Sequence, residues 1–115
     1  MKKNILFAGL LLLFAACSKE KNADSNNGPG ATNTILMKAS VFTPSTLQVN
    51  INVTVTWLND DNMVHTVTAD DGSFDSGDIT PGAKFTHTFS NTGSYSYHCV
   101  YHSGMVGTVT VTGIR

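Results

Sequence analysis

The residues best suited to chemistry lie together near the end of the chain, in the segment YHCVYHSGMVG. Cys99, His102 and Met105 are spaced three residues apart, so one short loop can present all three side chains. A further histidine, His65, lies upstream in MVHTV. Thiolate and thioether favour Cu(I), imidazole suits either oxidation state, and two histidines, one cysteine and a weak axial methionine form an electron-transfer copper site. These residues therefore predict a copper centre, whose fourth ligand must be held by a folded scaffold.

The start of the chain has the pattern of an export signal. Two lysines precede an apolar run over 5–14, and small residues follow it, as in a secretory signal. The run is too short for a comfortable membrane span. Cys17 directly after the small residues resembles a bacterial lipobox, in which that cysteine is lipidated and becomes the mature N-terminus. We therefore predict a lipoprotein signal peptide over 1–16, lipidation at Cys17 and a membrane anchor at the bacterial cell envelope, facing the periplasm or in the outer membrane. Ordinary secretion with cleavage near Ala16 is the alternative.

Composition bounds the remaining segments and their partners. Residues 17–33 are polar with almost no apolar side chain, which predicts a flexible tether. The rest, 34–115, has room for one small domain, which we expect to be a monomer. Removing the two leader lysines leaves five basic side chains against eight acidic ones. This mild negative charge provides no basic face for nucleic acid, although it could steer a basic partner.

The cysteine count sets Cys99 apart. Small exported domains often use several disulfides to stabilise a thin core, but this chain has two cysteines and Cys17 belongs to the lipobox. A lone thiol in an oxidising compartment needs protection by burial or by a metal. Taken alone, Cys99 would be a buried structural thiol, and its spacing from His102 and Met105 favours a metal ligand instead.

From residue 34 onward, the chain alternates short β-type segments with turn residues and has no useful helical period. About seven short strands in an antiparallel β-sandwich are predicted. Their approximate ranges are 35–39, 46–49, 53–58, 65–69, 85–89, 95–99 and 105–112. Alternation places Cys99 inward with Tyr95 and Tyr97, and His98 on the opposite face. Asn52 suits a tight turn, because asparagine adopts the left-handed conformation at low cost.

Matching segments cover essentially the whole of 35–111 and resemble the small cupredoxins, the plastocyanin- and amicyanin-like family of type 1 copper proteins. The segments are FTPSTLQVN, VTWLN, VHTV, DDGSFDSGDITPG, FTHTF, GSYSYHC and HSGMVGTVTV. The resemblance implies an all-β Greek-key sandwich with one type 1 copper per chain. It further implies that His65, Cys99 and His102 form a trigonal plane with Met105 as the axial ligand.

The resemblance also implies a function. The chain would not be an enzyme but would shuttle single electrons between redox proteins of the periplasm or envelope, by cycling between Cu(II) and Cu(I). In the family the loop histidine reaches the surface, so a transient redox partner would dock near His102. The docking face would comprise the neighbouring residues Tyr101, Ser103, Gly104 and Val106.

The chain departs from the family pattern beside the ligands. The family often has asparagine directly after the first ligand histidine, where it ties the ligand loops together; here the residue is Thr66, which could donate one hydroxyl hydrogen bond. The segment after Cys99 is Val100-Tyr101 and lacks a proline. These differences bear on redox potential and rigidity, which depend on the hydrogen bonds around the ligands.

Other functions stay open on the sequence. In copper nitrite reductases a histidine before the equivalent cysteine binds a second copper, but here only His98 and His87 remain, and both are interpreted as solvent-facing strand residues. The main alternative is a copper-binding module for capture or delivery without redox turnover. A metal-free envelope or adhesion sandwich and a component of a larger copper enzyme are two further alternatives.

Overall fold

The computed structural model describes residues 33–113. The signal peptide predicted over 1–16, the lipidation at Cys17 and all but the last residue of the predicted tether lie outside this range. The described residues form eight strands in two sheets. The strands are β1 Thr34–Lys38, β2 Val41–Thr43, β3 Thr46–Asn50, β4 Thr54–Asn59, β5 Thr68–Ala69, β6 Lys84–Thr88, β7 Gly93–His98 and β8 Val106–Thr112. Within residues 33–113, no helix is both long and apolar enough to span a membrane.

The predicted all-β sandwich is confirmed, with one difference in how the strands pair. One sheet has the order β2-β1-β4-β6 and the other β3-β8-β7-β5. Most pairs are antiparallel, but β1 with β4 and β3 with β8 are parallel. Each sheet contains one parallel pair and is therefore mixed. The strands of these two pairs are separated along the chain by other strands, so no hairpin turn joins them.

One strand has no counterpart in the sequence prediction. β2 follows β1 through a turn of only two residues, Ala39 and Ser40, with φ angles of 55° and 58°. Positive φ at both central residues is typical of two-residue hairpins, where asparagine and glycine are the usual residues. Because alanine and serine give no such signal, the sequence did not predict this hairpin. The left-handed turn predicted at Asn52 is confirmed, with φ 69°.

The core lies between the two sheets and continues into the end of the sandwich where the chemistry-bearing residues lie. Trp57 of β4 and Tyr97 of β7 are fully buried and meet edge to face, with ring centroids 5.5 Å apart. Cys99 and Met105 belong to the same apolar cluster and are 4% and 1% exposed. The candidate site is therefore built against a packed core, which limits the movement of its side chains.

Candidate metal centre

Cys99 and Met105 are positioned by the loop between β7 and β8. Cys99 directly follows β7, which is paired with β5 on one side and β8 on the other. The Cys99 amide donates to the Met105 carbonyl at 3.0 Å, and the Met105 amide donates to the His102 carbonyl at 3.1 Å. Gly104 turns the loop with φ 86°, a conformation that side chains disfavour. These bonds close 99–105 into a compact loop whose ends are held by the sheet.

His65 comes from the long connection between β4 and β5, and a short backbone bridge holds it. Its amide donates to the Ile79 carbonyl at 3.1 Å and its carbonyl accepts from the Ile79 amide at 2.7 Å. The buried Asn59 amide group donates to the carbonyls of Met63 and Ile79, both at 2.8 Å. The His65 ring is itself fully buried. The predicted strand over 65–69 is accordingly shorter, because only Thr68 and Ala69 pair with β7.

The nitrogen atoms of two histidines converge on the Cys99 sulfur. The distance from Cys99 Sγ is 3.4 Å to His102 Nδ1 and 3.8 Å to His65 Nδ1. The three ligand atoms all lie within 4.8 Å of one another. Metal–nitrogen and metal–sulfur bonds of about 2.0–2.3 Å at a trigonal angle of about 120° would separate the donors by about 3.7 Å. The spacing therefore fits a single metal ion, and the soft donor set fits copper.

Thr66 links the two segments that carry these ligands. Its backbone amide donates to the Cys99 sulfur at 3.4 Å. Its hydroxyl oxygen accepts from the Val100 amide at 3.0 Å and lies 3.0 Å from the Thr68 hydroxyl. The sequence indicates that Thr66 could donate one hydroxyl hydrogen bond. Because the Thr68 hydroxyl donates to Asp75 Oδ1, the Thr66 hydroxyl donates to Thr68. It also accepts from the Val100 amide, and the backbone amide of Thr66 contacts the sulfur.

Asp61 is a residue beside the site that the sequence analysis did not single out. Its Oδ2 lies 2.9 Å from His65 Nε2, on the side of the ring opposite the sulfur. The Asp61 side chain is only 12% exposed. The hydrogen bond with His65, followed by the bond from the Asn62 amide, holds the pKa of Asp61 below its usual value. The only signal in the sequence is an aspartate four residues before the histidine, in DDNMVH.

His102 lies at the edge of the site and is only partly buried. Three large hydrophobic side chains near it are exposed, with Val100 and Tyr101 of the loop at 55% and Val106 at the start of β8 at 58%. The Tyr101 hydroxyl donates to Asp78 Oδ1 at 2.5 Å, and this bond raises the pKa of Tyr101. The segment around His102 therefore presents apolar surface with one tyrosine held by an acidic side chain.

The remaining two histidines lie apart from this group. His98 is partly exposed, and its Nδ1 lies 2.6 Å from Asp70 Oδ1. His87 was predicted to face solvent, but it is half-buried, with its ring centroid 4.7 Å from those of Phe74 and Phe89. The reason is that it shares the inward face of β6 with Phe85, and burial lowers its pKa. Within residues 33–113, neither histidine belongs to a group of three that could hold a metal.

Comparisons with known proteins agree with this geometry. The family model for a cupredoxin-like domain matches residues 5–111. A plastocyanin from Scenedesmus fuscus is 33% identical over 86 residues, which cover 64% of this chain and 88% of that protein. The solved structure of a purple cupredoxin from Nitrosopumilus maritimus matches with a TM-score of 0.64 and 31% identity, over 69% of this chain and 98% of that one. A mutant of amicyanin matches with a TM-score of 0.64 and 28% identity, over 73% and 84%. The chain belongs to the cupredoxin-like family, and its cofactor is one type 1 copper ion.

Proposed function

We propose that this protein carries single electrons and catalyses no reaction of its own. The observation that carries the proposal is the convergence of His65 Nδ1 and His102 Nδ1 on the Cys99 sulfur within 3.8 Å. These three residues would hold the copper, with the buried Met105 as the axial ligand. The bound copper would supply one-electron chemistry by alternating between Cu(II) and Cu(I).

The surroundings of the ligands support electron transfer by keeping them in fixed positions. Cys99 is buried and accepts a hydrogen bond from the Thr66 amide, which stabilises negative charge on its sulfur. The Thr66 hydroxyl ties the histidine segment to the cysteine loop through the Val100 amide. Ligands held in this way would move little when the charge of the metal changes. The same hydrogen bonds would also set the reduction potential.

The exposed surface beside His102 is suited to docking of a redox partner. His102 contacts the Cys99 sulfur through Nδ1 and is partly exposed, so its ring would connect the copper to solvent. The flanking residues Tyr101, Ser103, Gly104 and Val106 are all exposed. We infer that a transient redox protein docks on this face, with the small contact area usual for such complexes.

The charged residues of the domain and the predicted lipid anchor bear on the partner and on the location of the protein. The described residues have only two lysines, Lys38 and Lys84, while all six of their acidic residues lie between Asp60 and Asp78. We therefore propose a basic partner, no binding to nucleic acid, and association that weakens as salt screens exposed charges. A monomer anchored through lipidated Cys17 would operate at the envelope, on the periplasmic side or at the outer membrane.

The test is to purify residues 18–115, add Cu(II) and record the visible and electron paramagnetic resonance spectra. An intense thiolate-to-copper band is expected for the wild type, and it should disappear in Cys99→Ser because the sulfur is the source of the transition. The matched control is His98→Gln, which changes the residue next to Cys99 but not one of the proposed ligands, and should keep the band. A colourless wild type would contradict the copper assignment.

A second measurement separates electron transfer from copper capture or delivery, which would use the same ligands. Fast electron self-exchange with copper retained in the presence of a chelator supports the carrier. Rapid loss of copper to the chelator with slow self-exchange would instead identify a delivery module.

A further inference from the structure

The structure assigns Asp61 a role in setting the copper site: its carboxylate fixes the orientation of His65 and stabilises the higher oxidation state. Asp61 is a positioning residue, since it contacts His65 rather than the proposed metal position. This inference rests on the proposed function, because it concerns the same four ligands. It goes further by naming what holds one of them and what that contact does to the redox chemistry.

The His65 ring lies between the Cys99 sulfur and Asp61. Its Nδ1 lies 3.8 Å from the Cys99 sulfur, and its Nε2 lies 2.9 Å from Asp61 Oδ2. A carboxylate accepts hydrogen bonds and has no proton to donate, so Nε2 must carry the proton in this contact. The lone pair of neutral His65 is then on Nδ1, on the side of the sulfur. Asp61 thus selects the tautomer that can bind a metal there.

Asp61 is itself held by three further hydrogen bonds. Its Oδ2 also accepts from the Ser40 amide at 3.3 Å, and its Oδ1 accepts from the Asn62 amide at 2.8 Å. Its own amide donates to the side chain of the buried Asn59 at 3.0 Å. Ser40 lies in the two-residue turn between β1 and β2. The orientation of His65 therefore depends on a hairpin far away in the sequence.

Asp61 places a negative charge beside the ligand His65. The contact is mostly shielded from water, with His65 fully buried and the Asp61 side chain 12% exposed. A carboxylate on the second nitrogen of a ligand histidine raises the basicity of the ligating nitrogen and fixes the ring. A more basic ligand and a nearby negative charge both favour Cu(II) over Cu(I). Asp61 therefore lowers the reduction potential relative to a neutral residue at the same position.

The experiment compares two variants at this position with a matched control in the purified protein. Asp61→Asn keeps an oxygen that can accept from His65 Nε2 but removes the charge, whereas Asp61→Ala removes both. Asp60→Asn is the control, because it removes the same charge from the neighbouring residue. The Asp60 side chain is 51% exposed and pairs with Lys38. The readouts are the reduction potential, the Cu(II) and Cu(I) affinities, and the protonated nitrogen of His65 by nitrogen-15 NMR of the copper-free protein.

We expect Asp61→Asn to weaken Cu(II) binding by about tenfold, the low end of the about 10–100-fold loss typical of such partners, and to change Cu(I) binding little. A tenfold preference corresponds to a rise in potential of about 59 mV for one electron. Asp60→Asn should give a much smaller rise. In copper-free Asp61→Ala, His65 should lose its exclusive Nε2 proton and populate both tautomers.

Two results would overturn the inference. One is a potential that shifts equally in Asp61→Asn and Asp60→Asn, which would indicate long-range charge rather than the contact. The other is a His65 proton on Nε2 that is unchanged in Asp61→Ala. The NMR measurement needs no copper. A wild type without the thiolate-to-copper band would therefore contradict the proposed function, and the contact between Asp61 and His65 would still be tested in the copper-free protein. Near-ultraviolet circular dichroism verifies that each variant is folded.

Discussion

Gly107 of β8, two residues after the 99–105 loop, faces Tyr97 of β7 and has no room for a side chain. A Cβ at Gly107 would lie 2.8 Å from Tyr97 Cε2, and closer still to its Cζ and hydroxyl oxygen. Tyr97 is fully buried, and its ring packs edge to face against Trp57 and Phe42, which restricts its movement. Gly107→Ala should therefore force the ring or the strand to move.

The cost can be approximated from two opposing effects. Overfilling a packed core costs about 1–3 kcal/mol, while replacing glycine by alanine stabilises by about 0.4–1 kcal/mol through the unfolded chain. The expected net loss for Gly107→Ala is about 1–2 kcal/mol. In a domain of this size, such a loss lowers Tm by roughly 5–15 °C. Because Tyr97 precedes Cys99 by two residues on the same strand face, the thiolate-to-copper band should shift as well.

Gly113→Ala is the matched control for Gly107→Ala. It makes the same substitution in an exposed residue, where the new Cβ would meet only the Thr92 methyl group at 3.2 Å. Urea unfolding of the copper-free proteins, followed by circular dichroism, should give a change within about 0.5 kcal/mol for this control. Equal stability of Gly107→Ala and wild type would refute the packing argument, as would a loss of the same size in both variants.

Two other predictions concern the β1–β2 turn and His87. Ala39→Asn combined with Ser40→Gly should stabilise the copper-free protein by about 1 kcal/mol in urea unfolding. Positive φ costs about 1–2 kcal/mol per ordinary residue, but glycine also loses more backbone entropy on folding, which offsets part of the gain. An unchanged or lower stability would contradict strain in this turn. Burial lowers the pKa of His87, so the unfolded chain binds its proton more readily and stability should fall as pH drops below about 6.5. Unfolding in urea at pH 7.5 and 5.5 should give a smaller loss in His87→Gln than in the wild type, and an equal loss would exclude this contribution.

The chemistry-bearing group was predictable because its information is local. Cys99 and His102 are three residues apart, and strand alternation alone predicts that Cys99 faces inward, as the structure has it. The structure also brings the more distant His65 within 4.8 Å of both. The inward orientation of His87 follows from the same alternation, since Phe85 and Phe89 share its face. Interpreting His87 as solvent-facing gave its polarity more weight than its position in the strand.

The supporting contacts were harder to predict because each depends on two segments whose approach is fixed only by the complete fold. The Thr66 hydroxyl accepts a hydrogen bond from the Val100 amide, 34 residues away. The Asp61 carboxylate accepts one from the Ser40 amide, which lies in a hairpin that the sequence did not predict. The family resemblance indicated position 66 as a link between the ligand loops, whereas nothing in the sequence indicated the contact between Ser40 and Asp61. Because Asp61 contacts both the Ser40 amide and His65, we expect a change in the β1–β2 turn to alter the position of His65. If the proposed redox role is correct, such a change would shift the reduction potential without replacing any of the four proposed ligands.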